Sequence, residues 1–182
     1  LKDKEVLADM DVMEAIKGRR SIRQFTDEPI EKNKLDRLLE AARWAPSGGN
    51  LQKWRFVVVT SPSQRELVKQ FAPGIFAMPA AFIVVCAEVE SGANEWKKRL
   101  YLADCAIASQ NIMLAAHEMG IGTCVALSYD KSAIGEILEL PENIEPMLVV
   151  TLGYPAEAPE PPPRFELSAM AFGDRYGEEW EA

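Results

Sequence analysis

The sequence predicts one domain in which helices and short buried strands share a core, and three observations carry that expectation. Leu35, Leu38, Leu39 and Ala42 repeat at the spacing of a one-faced helix. Phe56–Val59 and Phe82–Cys86 are short apolar runs rich in β-branched residues, as strands covered on both faces are. From Trp96 to Met119 the chain is helix-compatible and apolar around most of its circumference, which places that helix at the centre of the fold or of a subunit interface.

Each element follows from local chemistry. Val12, Ala15 and Ile16 recur at helical spacing behind Asp11, and this helix delivers the basic run Gly18-Arg19-Arg20-Ser21-Ile22-Arg23. Pro46 ends the helix through Leu35–Ala42 and opens the loop Ala45–Asn50. After the first strand, Ser61-Pro62 reads as a helix start for Leu67, Val68 and Phe71. A polar connector, 88–94, follows the second strand, and Gly120 closes the long helix. A strand through Cys124–Leu127, a short helix near Ile134–Leu138 and a strand through Leu148–Leu152 complete the body. Pro155, Pro159, Pro161, Pro162 and Pro163 forbid regular structure, so 155–182 is expected to run extended. The apolar Phe165, Leu167, Met170, Phe172, Tyr176 and Trp180 then call for a partner subunit to cover them.

The length of 182 residues suits a single domain, 1–182, and 48% hydrophobic with 26% charged residues is the balance of a folding chain. A formal net charge of -8 repels nucleic acid and anionic lipid, so neither is expected as a partner. Cys86, Cys105 and Cys124 are odd in number and set in apolar runs, which fits buried thiols better than disulfides or metal ligands. The charged start Leu1–Glu5 has no apolar signal core behind it, and a cytoplasmic location is expected.

Against the acidic background the cluster Arg19, Arg20, Arg23 with Ser21 stands out. Planar guanidinium donors suit a phosphate and the polar edge of a ring, although a solvated basic turn has the same spacing. Pro46-Ser47-Gly48-Gly49-Asn50-Leu51-Gln52-Lys53-Trp54 combines backbone that can approach a flat ligand with the amides of Asn50 and Gln52; a plain surface loop would read similarly. Gly120-Ile121-Gly122-Thr123-Cys124 lacks a phosphate-loop pattern and reads as a helix cap before a strand. His117, the one histidine, reads as structural. With no Ser-His-acid set, metal-spaced histidines or CxxC, chemistry has to come from a bound cofactor.

In this order, Arg19–Phe25, Ala45–Trp54, Gly120–Cys124 and Leu152-Gly153-Tyr154-Pro155 make the chain resemble the nitroreductase family of flavoproteins over about residues 12–165. The resemblance implies an α+β fold, a mixed sheet flanked by helices, in an interlocked homodimer with FMN at each of two interface sites. It implies that Arg19, Arg20, Ser21 and Arg23 hold the phosphate, ribityl and pyrimidine side of FMN, with Arg23 near N1 and O2. Pro46, Ser47 and Asn50 would lie along the isoalloxazine, with the Pro46-Ser47 part reaching in from the other subunit, and Gln52 would also bind the cofactor. Ala126, Leu127 and Ser128 would present backbone N–H groups to flavin O4 and N5, and Arg164 would meet the phosphate. Lys53 departs from the proline that many members carry there, and the short 87–96 segment leaves no room for a helical lid.

The activity so implied is hydride transfer from NADH or NADPH through flavin N5 to a small-molecule oxidant: a nitroaromatic, a quinone or an activated alkene. Reductive dehalogenation, flavin breakdown, or FMN binding without catalysis would share the same motifs.

Overall fold

The computed structural model describes residues 10–180, so the charged run Leu1–Glu5 lies outside the described residues. In chain order the elements are α1 (Val12–Gly18), α2 (Lys32–Arg43), β1 (Trp54–Val59), α3 (Pro62–Gln70), β2 (Ala81–Glu88), α4 (Glu95–Glu118), β3 (Gly122–Ala126), α5 (Lys131–Ile137) and β4 (Ile144–Gly153). The strands form one sheet in the order β1-β2-β4-β3. All three pairings are antiparallel, and parallel pairing enters only as an isolated bridge between Ser21 and Thr123. The α+β class stands, with the mixed character of the sheet confined to that bridge.

Strand alternation sorts the core into two layers. Ala81, Ile83, Val85 and Ala87 of β2 face α2 and α4, joining Leu38, Ala42, Ala108, Ile112 and Leu152. Phe82, Val84 and Cys86 face the opposite way, against Val68 of α3 and Ile134 of α5. Because both faces are covered, β2 reads as a continuous apolar run rather than an alternating one. Burial pushes the thiols of Cys86 and Cys105 up to about 12, so both act as small core hydrophobes.

The helix ends are built as the sequence indicates. Asp11 accepts from the N–H groups of Met13 and Glu14 while Glu14 reaches back to Asp11, a complete capping box. Pro62 occupies the first turn of α3, although the Ser61 hydroxyl bonds Ser63 instead of capping. Gly120 takes φ +72° after α4, and the chain reverses with Ile121 N–H bonded to the Ala116 carbonyl at 2.8 Å. Only one side of α4 is buried within the chain: Tyr101, Cys105, Ala108 and Ile112 are covered, whereas Leu102 and Ile107 are exposed. The 155–164 stretch has no regular structure, and Phe165, Leu167, Met170, Tyr176 and Trp180 beyond it are exposed in the single chain.

Tyr154, just past β4, ties the sheet to α2. Its hydroxyl accepts from the Lys34 ammonium and donates to Glu31, each at 2.7 Å. The Tyr154 hydrogen bond, then the backbone and Lys34, hold the Glu31 carboxyl down to about 2. A depressed folded-state value means this stabilisation is full above the ordinary carboxylate value of 4.5 and is lost as pH falls toward about 2. Glu31→Gln therefore flattens the acid side of a stability-versus-pH curve measured by urea unfolding, leaving the curve near pH 7 parallel to wild type.

Candidate functional site

Two glycines opposite each other make the site possible. Gly122 of β3 pairs with Gly153 of β4, and their missing side chains leave a shelf on the sheet surface. A Cβ on Gly122 would lie 2.8 Å from Ile22 Cβ, and one on Gly153 would lie 2.7 Å from Phe25 Cδ1. The segment 21–26 lies on this shelf. Ile22 N–H donates to the Thr123 carbonyl at 2.9 Å, and Thr26 N–H donates to the Tyr154 carbonyl at 2.9 Å. Ala156 N–H bonds the Gln24 carbonyl at 3.0 Å, and the Glu157 carboxylate accepts from the N–H groups of Arg23 and Gln24. The opening of the proline stretch thus clips the arginine segment from the other side.

Buried Ile22 divides the arginines between two spaces. Arg19 and Arg20 line a cavity of about 400 Å³ with His117, Gly120, Gly122 and Glu157. Arg23 lines a narrow cleft with Cys124, Ala126, Gly74, Ile75 and Phe76. Ile22 borders both. One terminal nitrogen of Arg20 donates to the carbonyls of Lys17, Gly18 and Arg19 at 2.7–3.0 Å, so Arg20 also caps the end of α1. The Arg19 Nε is buried and has no hydrogen-bond partner among the described residues. A buried unpaired N–H is costly, and the guanidinium it belongs to lines the cavity, where an oxyanion would find charged donors.

His117 packs edge-on against Gly18, where a Cβ would lie 2.6 Å from Nε2. Burial, then the charges of Arg19 and Arg20, lower its pKa from 6.5, so it is neutral at pH 7. It is a wall of the arginine cavity as well as a packing residue. The Gly120–Cys124 string behaves as a helix cap and strand start, and Gly120 and Gly122 also border that cavity.

The other sequence-predicted residues fall in separate places. Ala126 ends β3 inside the Arg23 cleft, while Leu127 and Ser128 follow it exposed, with the Ser128 carbonyl accepting weakly from Gly74 N–H at 3.4 Å. Pro46, Ser47, Asn50 and Gln52 occupy the turn before β1, which lines neither of the two spaces that hold the arginines. That turn borders a different, largely apolar space of about 470 Å³ with Leu51, Trp96 and Leu100. Arg164 stands exposed on the extended tail. One chain therefore gathers the arginines and Ala126, and leaves the 46–52 turn and Arg164 elsewhere.

A model of the nitroreductase family matches residues 16–81 and 69–154. The chain belongs to the nitroreductase family. A provisionally named NADH dehydrogenase/NAD(P)H nitroreductase of Methanothermobacter thermautotrophicus is 37% identical over 158 residues, covering 82% of this chain and 80% of that protein. A crystal structure of a nitroreductase family protein from Clostridium difficile superposes with a TM-score of 0.81 at 29% identity, covering 91% of this chain and 99% of that one. The NADPH:FMN oxidoreductase of Vibrio harveyi, solved in complex with NAD+, gives a TM-score of 0.82 at 28% identity over 91% of this chain and 78% of that one.

Sequence reasoning missed the 74–77 loop, which enters the Arg23 cleft from between α3 and β2. Its only sequence signal is the Pro73-Gly74 turn followed by Phe76, whose ring is 70% exposed although it is aromatic. It also missed Asp104, a carboxylate buried on α4. The shelf itself is testable. Gly122→Val drives a stiff side chain into Ile22, and urea unfolding is expected to show a loss of about 1–3 kcal/mol, together with faster tryptic cleavage at Arg19, Arg20 and Arg23.

Proposed function

We propose that this chain is an FMN-dependent oxidoreductase that takes hydride from NADH or NADPH and passes it to an electron-poor acceptor, a nitroaromatic, a quinone or an activated alkene. The observation that carries this reading is that Arg19 and Arg20 line one cavity large enough for a phosphate and its neighbouring groups, with the buried Arg19 Nε left without a partner among the described residues. Similarity to an NADPH:FMN oxidoreductase solved with NAD+ supports the choice of cofactor and hydride donor. The protein works as a homodimer in the cytoplasm; among the described residues no helix is long and apolar enough to cross a membrane.

FMN supplies the hydride-accepting and hydride-donating centre, and this chain's residues bind, orient and tune it. Arg19 and the free donors of Arg20 hold the phosphate, with Ser21 beside them. Arg164, which stands apart from them in the single chain, is assigned to the phosphate only through the family resemblance. Arg23, at the mouth of its cleft, places positive charge by the pyrimidine edge, where attraction to electron density grows once water is excluded. The backbone of Ala126, Leu127 and Ser128 lines the same edge. Pro46, Ser47, Asn50 and Gln52 act on the flavin of the second subunit, which accounts for their distance from the arginines of their own chain. Leu102 and Ile107 on α4, and the apolar tail residues, are the surfaces that subunit covers.

The purified protein is expected to be yellow, to be bleached by NADH or NADPH without oxygen, and to regain colour when a quinone or nitroaromatic is added. Bound flavin that neither nucleotide bleaches would make this a binding protein, and a colourless protein that takes up no FMN would overturn the reading. Arg23→Ala is expected to make the flavin potential more negative and to weaken FMN binding by about tenfold, as loss of a charged hydrogen-bonding group does; spectroelectrochemistry and flavin titration check both.

A further inference from the structure

The turn between α2 and β1 is held in a backbone form it would not choose alone. Gly49, Asn50 and Gln52 have φ of +57°, +55° and +50°, and two of the three carry side chains. Left-handed non-glycine residues persist only where the surroundings over-determine them. Ser47 supplies one restraint, its Oγ accepting from Gln52 N–H at 3.1 Å. Backbone bonds from Asn50 to Ser47 and from Leu51 to Gly48 add to it, and Asp104 supplies the restraint from outside the turn.

Asp104 is 3% exposed on the inner face of α4, and both of its carboxylate oxygens accept from Gly48 N–H, at 3.1 and 3.3 Å. No other side-chain hydrogen bond of Asp104 is formed among the described residues; the neighbouring Tyr101 hydroxyl goes to Glu90 instead. A buried carboxylate is expensive, and an apolar residue would fill this position at lower cost. What the carboxylate provides is a charge-assisted bond to backbone, stronger than any neutral acceptor would make. Leu100, one turn earlier on α4, fills the space beside Gly48, where a Cβ would come within 2.5 Å. The helix therefore grips the turn at its first glycine through contact and charge together.

We propose that Asp104 is a positioning residue that fixes the 47–52 turn in the conformation in which Ser47 and Asn50 meet the flavin ring. The inference rests on the FMN reading above and adds a residue that touches neither flavin nor substrate.

Amide hydrogen exchange on flavin-free protein and FMN titration test it together. In Asp104→Ala, the amides of Gly48 to Gln52 exchange about tenfold faster while those of β2 and β4 keep their protection, and FMN binds about tenfold more weakly with an altered visible band shape. Asp104→Asn keeps a neutral acceptor and gives an intermediate result, about threefold on each measure. Unchanged exchange at 48–52 in Asp104→Ala, or wild-type FMN affinity and band shape, overturns the proposal. If the alanine variant does not fold, Asp104→Asn decides alone, and no rise in exchange at Gly48 overturns it. A wild-type protein that takes up no FMN sinks the flavin reading, while the exchange arm still decides whether Asp104 holds the turn.

Discussion

The contact of Ile22 and Phe25 with the side-chain-free shelf of Gly122 and Gly153 decides where the charged part of this molecule goes. Without that shelf, the segment after α1 would have no flat surface to lie on and no carbonyls at Thr123 and Tyr154 to bond. With it, the segment lies against the sheet beside β3 through a single bridge at Ser21 and Thr123, and Ile22 and Phe25 both pack on the glycines. Ile22 goes down, and Arg19 and Arg23 are directed into separate spaces on either side of it. Binding geometry here comes from a packing constraint, since the arginines repel one another and would not converge unaided.

Much of this was legible in the sequence. The helices and strands were found because both core layers need apolar residues at fixed period, and Leu38 or Ile83 can be read from neighbours alone. The arginine cluster was legible because it runs against the net charge of the chain. The reason for the glycine motifs was not, because pairing Gly122 with Gly153 requires the register of β3 on β4, and register is a long-range fact. Asp104 was hidden for a related reason: within the run Leu100–Ala108, nothing local distinguishes a solvated aspartate from one aimed at a turn 56 positions away. The 74–77 loop was unreadable because its contribution is a place in space beside Arg23, with no polar side chain to announce it.

Among the described residues, two of the regions that expose apolar side chains in the single chain lie on α4 and on the tail. Leu102 and Ile107 on α4, and the tail from Phe165 to Trp180, would cost free energy in water out of proportion to their number. The same helix that turns Asp104 inward therefore turns an unsatisfied face outward. One element contacts the 47–52 turn on one side and leaves apolar side chains exposed on the other, so any shift of α4 along its axis would be felt at both.

The clip that Glu157 closes over Arg23 and Gln24 joins residues more than 130 positions apart. During synthesis, the amino-terminal arginines leave the ribosome first and stay unanchored until β4 and the residues just after it have been made. A ribosome-bound chain truncated before Gly153 would hold the guanidinium groups and lack both the second half of their platform and the strap across it. The platform under the arginine segment is thus completed only after Gly153 to Glu157 have been made and have folded back onto it.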